Sequence, residues 1–161
     1  MNRRPLLALL AALPAALPLT AQALLPEPTG PQPELPKEKL VIVTQDGVAH
    51  PFDVEMAVTE AQQEIGEMFR TETKGGMLFD WGYPQPSQMW MKNTLIPLDM
   101  IFINADGTIR TIVENTTPRS LAVIDSRGPV RATLEVAAGT AAKLNIRVGD
   151  VVHQRIFNNP L

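Results

Sequence analysis

Apolar residues change their spacing along this chain in a way that separates strands from helices. Leu40, Val41, Ile42 and Val43 form a β-branched run that stops at Gln45-Asp46-Gly47, a turn signal because glycine tolerates the positive φ of a tight hairpin. Phe52, Val54 and Met56 then alternate with Asp53 and Glu55, so the two segments predict a hairpin with one buried face. Thr59 followed by Gln62 is a capping box, and Ala61, Ile65, Met68 and Phe69 share one face at helical spacing. That pattern predicts a helix running to about Arg70 and lying on the sheet. Met77-Leu78-Phe79 reads as a short strand, and Gly82, Pro84 and Pro86 predict a loop over Trp81 to Ser87.

Further strands are expected over Gln88 to Met91, Leu98 to Ile103 and Thr108 to Glu114, the last two joined by the hairpin signal Asp106-Gly107. Val130, Ala132, Leu134 and Val136 alternate with Arg131, Thr133 and Glu135 in one more. A short helix over Ala137 to Leu144, ended near Asn145, precedes a final strand from Val151 to Ile156. The expected fold is mainly β (α+β): a compact β-barrel or sandwich of about seven to eight short strands with one or two helices.

The ends of the chain follow a different pattern. Arg3 and Arg4 lead an apolar stretch from Pro5 to Leu19, and Ala21-Gln22-Ala23 offers small residues two apart, which is the order of a cleavable secretory signal. The stretch is shorter than a bilayer-spanning helix and carries Pro14 and Pro18, so no stable membrane anchor is expected after cleavage. Residues 24–38 hold five prolines in Leu24 to Lys37 and read as an extended linker, leaving one domain at 39–157 and a tail at 158–161. The expected location is periplasmic or secreted, and the expected state is a monomer.

Charge and composition narrow the chemistry. The net charge is −3 before a signal with two arginines is removed, so nucleic acid is a poor partner. There is no cysteine and there are only two histidines, His50 and His153, so neither thiolate chemistry nor a histidine-rich metal site is supported and no cofactor is implied. Ser87, Ser120 and Ser126 lack a nucleophile elbow. Arg119, Arg127 and Arg131 around a Gly- and Pro-containing loop read as a solvated rim.

The least ordinary segment is Trp90 to Asp99. Lys92, Asn93 and Thr94 lie between apolar strands and need water or complementary groups, with Asp99, Glu114 and Glu135 as the acids expected nearby. Trp90 or Trp81 would supply a flat apolar wall. Met68-Phe69-Arg70, Gly76-Met77-Leu78-Phe79, Trp90-Met91-Lys92-Asn93-Thr94 with Ile96-Pro97-Leu98-Asp99, and Leu134-Glu135-Val136 with Gly139 and Gly149-Asp150 resemble the domain of unknown function 192 family over about residues 40 to 156. The resemblance implies a small β-barrel or sandwich, no settled activity, and characteristic positions at Arg70, Trp90, Lys92, Asn93, Thr94, Pro97, Asp99, Glu135 and Gly139. The chain departs from the family's pattern at Glu67-Met68.

Three functional readings follow. In the first, Trp90, Lys92, Asn93, Thr94, Asp99 and Glu135, with Arg70 added by the resemblance, line a cleft for a small polar ligand or carbohydrate. In the second, two of Asp99, Glu114 and Glu135 act as acid and base in a hydrolase. In the third, the polar cluster serves the fold alone, as side-chain to backbone bonding at turns often does.

Overall fold

Seven strands, two short helices and a 3₁₀ turn make up the computed structural model, which describes residues 27–161. The signal-like segment and the start of the proline-rich stretch lie outside the described residues. The strands are β1 (Lys37–Val43), β2 (Ala49–Ala57), β3 (Met77–Met89), β4 (Leu98–Ile103), β5 (Ile109–Val113), β6 (Ile124–Ala137) and β7 (Val151–His153). They form one sheet in the order β5-β4-β6-β3-β2-β1-β7. A bridge between Thr108 and Val151, with Val152 N–H donating to Gly107 O at 2.8 Å, brings the two edges together into a nearly closed barrel. Leu40, Ile42, Val54, Ile101, Leu134 and Val152 fill its interior.

The connection from β2 to β3 decides where the candidate site lies. These strands run parallel, so the chain must cross over between them, and it does so through α1 (Glu60–Ile65). The capping box forms as the sequence predicts: Gln62 N–H donates to Thr59 Oγ1 at 3.3 Å, and Thr59 N–H to Gln62 Oε1 at 3.0 Å. The helix stops at Gly66 (φ +49°) rather than continuing to Arg70. A β-carbon on Gly66 would lie 2.9 Å from the Phe79 ring, so the glycine both ends the helix and lets β3 approach. Residues 66–76 therefore return over the outer face of the sheet as irregular chain.

Three more expectations are corrected. Trp81 to Ser87 is not a loop but part of the long β3, which pairs with β6 across register shifts at Asp80/Gln85 and Pro86/Gln88. Its far half pairs on one side only, which gives Pro84 and Pro86 the free edge that a proline needs. The final strand ends at His153, because Gln154 turns to cap the 3₁₀ helix Arg155–Phe157 and its side chain accepts from Ile156 N–H at 2.8 Å. The end of the proline-rich segment is docked: Gln32 donates to Gln62 O and Gly66 O, both at 3.0 Å, and Leu35 packs against Ala57, Met77 and Phe79. The helix α2 (Thr140–Leu144) starts later than Ala137 but ends as expected at Asn145, which takes the left-handed φ of +56°.

Candidate functional site

Strand register sorts the acids before any side-chain contact is considered. On β4 and β6, Asp99 lies opposite Val136 and Met100 opposite Glu135. Successive side chains alternate faces, so Asp99 and Glu135 leave the sheet on opposite sides. Asp99 points inward and is fully buried. Its Oδ1 accepts from Asn115 N–H at 3.0 Å and Gly139 N–H at 3.1 Å, and its Oδ2 from Ala141 N–H at 2.9 Å. The carboxyl thus ties β4 to the start of α2 and to the turn after β5. Glu114 is exposed at the end of β5, so neither acid joins Glu135.

On the outer face, Glu55 of β2, Met77 of β3, Glu135 of β6 and Met100 of β4 form one row across the sheet. Two loops cover this row. Phe69 takes a φ of +63°, a costly geometry for a bulky residue, and its N–H donates to Asn93 O at 2.9 Å. Asn93 is itself left-handed at +57°, and its Nδ2 approaches Met68 Sδ at 3.8 Å. Thr94 N–H donates to Met91 O at 3.0 Å, closing the turn of the second loop. The alternation that predicted Glu55 on a solvent face is overruled here, because the returning chain buries it.

Glu55 is the satisfied acid of the row. Arg70 donates to it through Nη1 at 2.6 Å and Nη2 at 2.9 Å, and Leu35 N–H reaches Oε2 at 2.7 Å. Burial opposes the charge on Glu55, but the guanidinium and the amide outweigh it and hold the carboxyl below its usual range. Glu67 is different. Its Oε1 accepts from Thr73 Oγ1 at 3.0 Å, while Oε2 is buried with no hydrogen bond among the described residues and sees Arg70 Nη1 only at 3.5 Å. Burial pushes its pKa up, against the pull of Arg70.

Glu135 has no hydrogen-bonding partner among the described residues and is pushed up to about 8 by burial, with the charge of Glu67 adding to the effect. Burial thus favours its neutral, protonated form near neutral pH. Glu67 and Glu135 line one cavity of about 30 Å³, together with Met68, Phe79, Trp90 and Thr94. That is room for about one water-sized group. Trp90 stands at its mouth, 45% exposed, with Lys92 Nζ 5.1 Å from its ring centroid and paired to Glu27 at 2.6 Å.

Of the residues singled out in the sequence, Trp90, Thr94 and Glu135 meet at this cavity, Lys92 and Asn93 touch its lining residues Trp90 and Met68, and Arg70 reaches it through Glu67. Asp99 lies on the other side of the sheet. Glu67 and Glu55 were missed as site residues. The signal for Glu67 was a charge between Ile65 and Met68-Phe69, within a face read as buried. A groove of about 500 Å³ beside Trp81, Tyr83 and Gln63 is wider, but the Gln63 amide there is used by Ala57 O at 3.2 Å and Asp80 O at 2.7 Å. Among the described residues no group of three His, Cys, Asp or Glu side chains is placed to hold a metal ion.

No curated protein matches the chain. Solved structures share its fold, among them these two. A candidate transcription regulator from Sinorhizobium meliloti 1021 is 46% identical with a TM-score of 0.75, over 78% of this chain and 98% of that one. A protein of unknown function from Novosphingobium aromaticivorans DSM 12444 is 38% identical with a TM-score of 0.71, over 74% of this chain and 86% of that one. The family model DUF192, described as an uncharacterized ACR, matches residues 41–154. These residues run from β1 to the capping Gln154 and include both the barrel and the acid cavity, so the chain belongs to the DUF192 family.

Proposed function

We propose that this protein is a binding module for a small polar ligand, which lies against Trp90 and buries one hydrogen-bonding group between Glu67 and Glu135. The observation that carries this reading is Glu67 Oε2, a buried acceptor left without a hydrogen bond among the described residues, in a cavity shared with a second acid that has no hydrogen-bonding partner among them. Leaving such an atom unsatisfied costs about 1–3 kcal/mol, which a ligand donor entering the cavity would recover. Trp90 supplies an exposed aromatic face at the entrance, suited to a sugar ring or an aliphatic chain. The arginine-led apolar segment ahead of the domain supports action outside the cytoplasm.

A hydrolase reading draws on Glu135, an acid that keeps its proton at neutral pH and has a second carboxyl beside it. Glycoside hydrolysis needs the scissile bond between two carboxyls about 5–10 Å apart, and a cavity of about 30 Å³ admits one small group instead. Binding is therefore the better-supported function. The test is a thermal-shift and NMR titration of the protein with methyl glucoside, glycerol, free amino acids and methylammonium, repeated on Trp90→Ala and Glu135→Gln. A compound that stabilises wild type and shifts resonances of Trp90 and Thr94, with weaker effects in both variants, is the expected result. Absence of any such compound, with one ordered water bridging the two acids in a crystal, would assign the cluster to the fold alone.

A further inference from the structure

The buried group of such a ligand is either a neutral hydroxyl or a charged ammonium, and the cavity discriminates between them. We propose that it is a protonated primary amine, making the ligand class small alkylammonium compounds or molecules ending in one; this rests on the binding reading above. The size of the cavity is the first argument. About 30 Å³ suits an ammonium head, which is close to water in size, better than a guanidinium, a trimethylammonium or a sugar ring.

Charge is the second argument. Arg70 is committed to Glu55 by two hydrogen bonds and touches Glu67 only at 3.5 Å. Met77 of β3 and Met100 of β4 flank Glu135 in the row and carry no charge, while exposed Glu64 of α1 adds another acid at the cavity edge. Lys92, on the loop that bears Thr94, is held at the surface by Glu27 at 2.6 Å. Among the described residues one guanidinium thus faces two acids, Glu55 and Glu67, with Glu135 as a third. An arriving cation supplies the countercharge that Glu135 needs in order to ionise.

Hydrogen bonding gives the third argument. An ammonium has three donors, and the cavity offers Glu67 Oε2, the Glu135 carboxyl and the Thr94 hydroxyl, which among the described residues bonds only Lys92 O at a long 3.4 Å. A hydroxyl brings one donor and can partner both acids only by accepting a hydrogen bond from a neutral Glu135, whereas an ammonium donates to both and favours the ionised form. The Lys92 ammonium already lies 5.1 Å from the Trp90 ring centroid, so the acids hold the arriving ammonium and the exposed part of the ring packs against its alkyl chain.

Ammonium binding favours the ionised form of Glu135 and so releases its proton. Because burial and Glu67 keep that proton in place up to about 8, affinity should rise by about tenfold per pH unit on the approach to 8 and level off above it. It should fall again near about pH 10, where an alkylamine loses its own charge. A neutral polyol would show no such rise.

Isothermal titration of the protein with methylammonium chloride, trimethylammonium chloride and methyl glucoside, between about pH 6 and pH 8 in two buffers of different ionisation heat, tests the proposal. Methylammonium is expected to bind with proton release, and trimethylammonium not to bind. Glu67→Gln should weaken methylammonium by at least about tenfold, and Glu135→Gln should abolish the pH dependence. Melting curves check that both variants fold. If Glu67→Gln does not, proton release by wild type and the effect of Trp90→Ala decide. Glucoside binding that is weakened by Glu135→Gln, without methylammonium binding, would overturn the ammonium and keep the binding reading. Methylammonium binding that is flat with pH and unchanged in Glu67→Gln would overturn it too. Failure of every compound would overturn both.

Discussion

Asp99 and Glu135 lie one register step apart on paired strands, both buried, and their surroundings could hardly differ more. Asp99 accepts three backbone N–H groups that would otherwise be orphans at a helix start and a turn. Glu135 accepts none among the described residues and shares a cavity with a second unpartnered oxygen. Burial alone therefore says little about the role of an acid in this fold. Hydrogen-bond satisfaction separates a carboxyl that holds the chain together from one left available to a ligand.

Removing Asp99 should have the largest effect. Asp99→Ala leaves its three N–H donors without an acceptor, and the expected loss is about 3 kcal/mol or more, read by urea unfolding. A loss below about 1 kcal/mol would mean that the start of α2 does not depend on this carboxyl, and the contrast with Glu135 would collapse.

Glu135→Gln sharpens the contrast through pH. The folded value of about 8 lies above the ordinary 4.5, so both folded and unfolded chains carry the proton below about 4.5. Between the two values unfolding releases that proton. Stability therefore falls as pH rises, by up to about 1.4 kcal/mol per pH unit, and the fall ends above about 8. Glutamine has no proton to lose, so the variant should match wild type near about pH 5 and exceed it near about pH 8 in paired denaturation curves. A difference that stays constant with pH would show that Glu135 is already ionised in the fold.

Lys92→Ala should matter least. Its partner Glu27 is 74% exposed at the side chain, and the contact with Trp90 lies at the surface, so a loss of about 0.5 kcal/mol or less is expected. A larger loss in the same urea measurement would make the Lys92 rim part of the packed structure.

Much of the barrel was legible locally. The alternation on β6, the capping box at Thr59 and the turn glycines at Gly47 and Gly107 each act within a few residues, and each forms where expected. The docking of the end of the proline-rich segment was not legible, because Leu35 gains its partners from β2 and β3, far along the chain. The β3 ribbon was hidden for a related reason: prolines read as a loop unless the pairing is known to leave one edge free. At the site, Trp90 and Thr94 stood out as polar and aromatic residues between strands, and Glu135 as an acid inside an apolar alternation.

By itself the sequence determined the strand-rich class, the approximate positions of most elements and the segment where unusual residues gather, because periodicity, capping and turn chemistry are short-range effects. Only the tertiary structure decided which acids share a site. A register of one residue sends Asp99 and Glu135 to opposite faces, and Gly66 breaks the helix so that Glu67 and Arg70 fold back over the sheet. Face and burial are properties of paired strands and packed loops, so Glu67 and Glu135 come to share a cavity only once the barrel has closed.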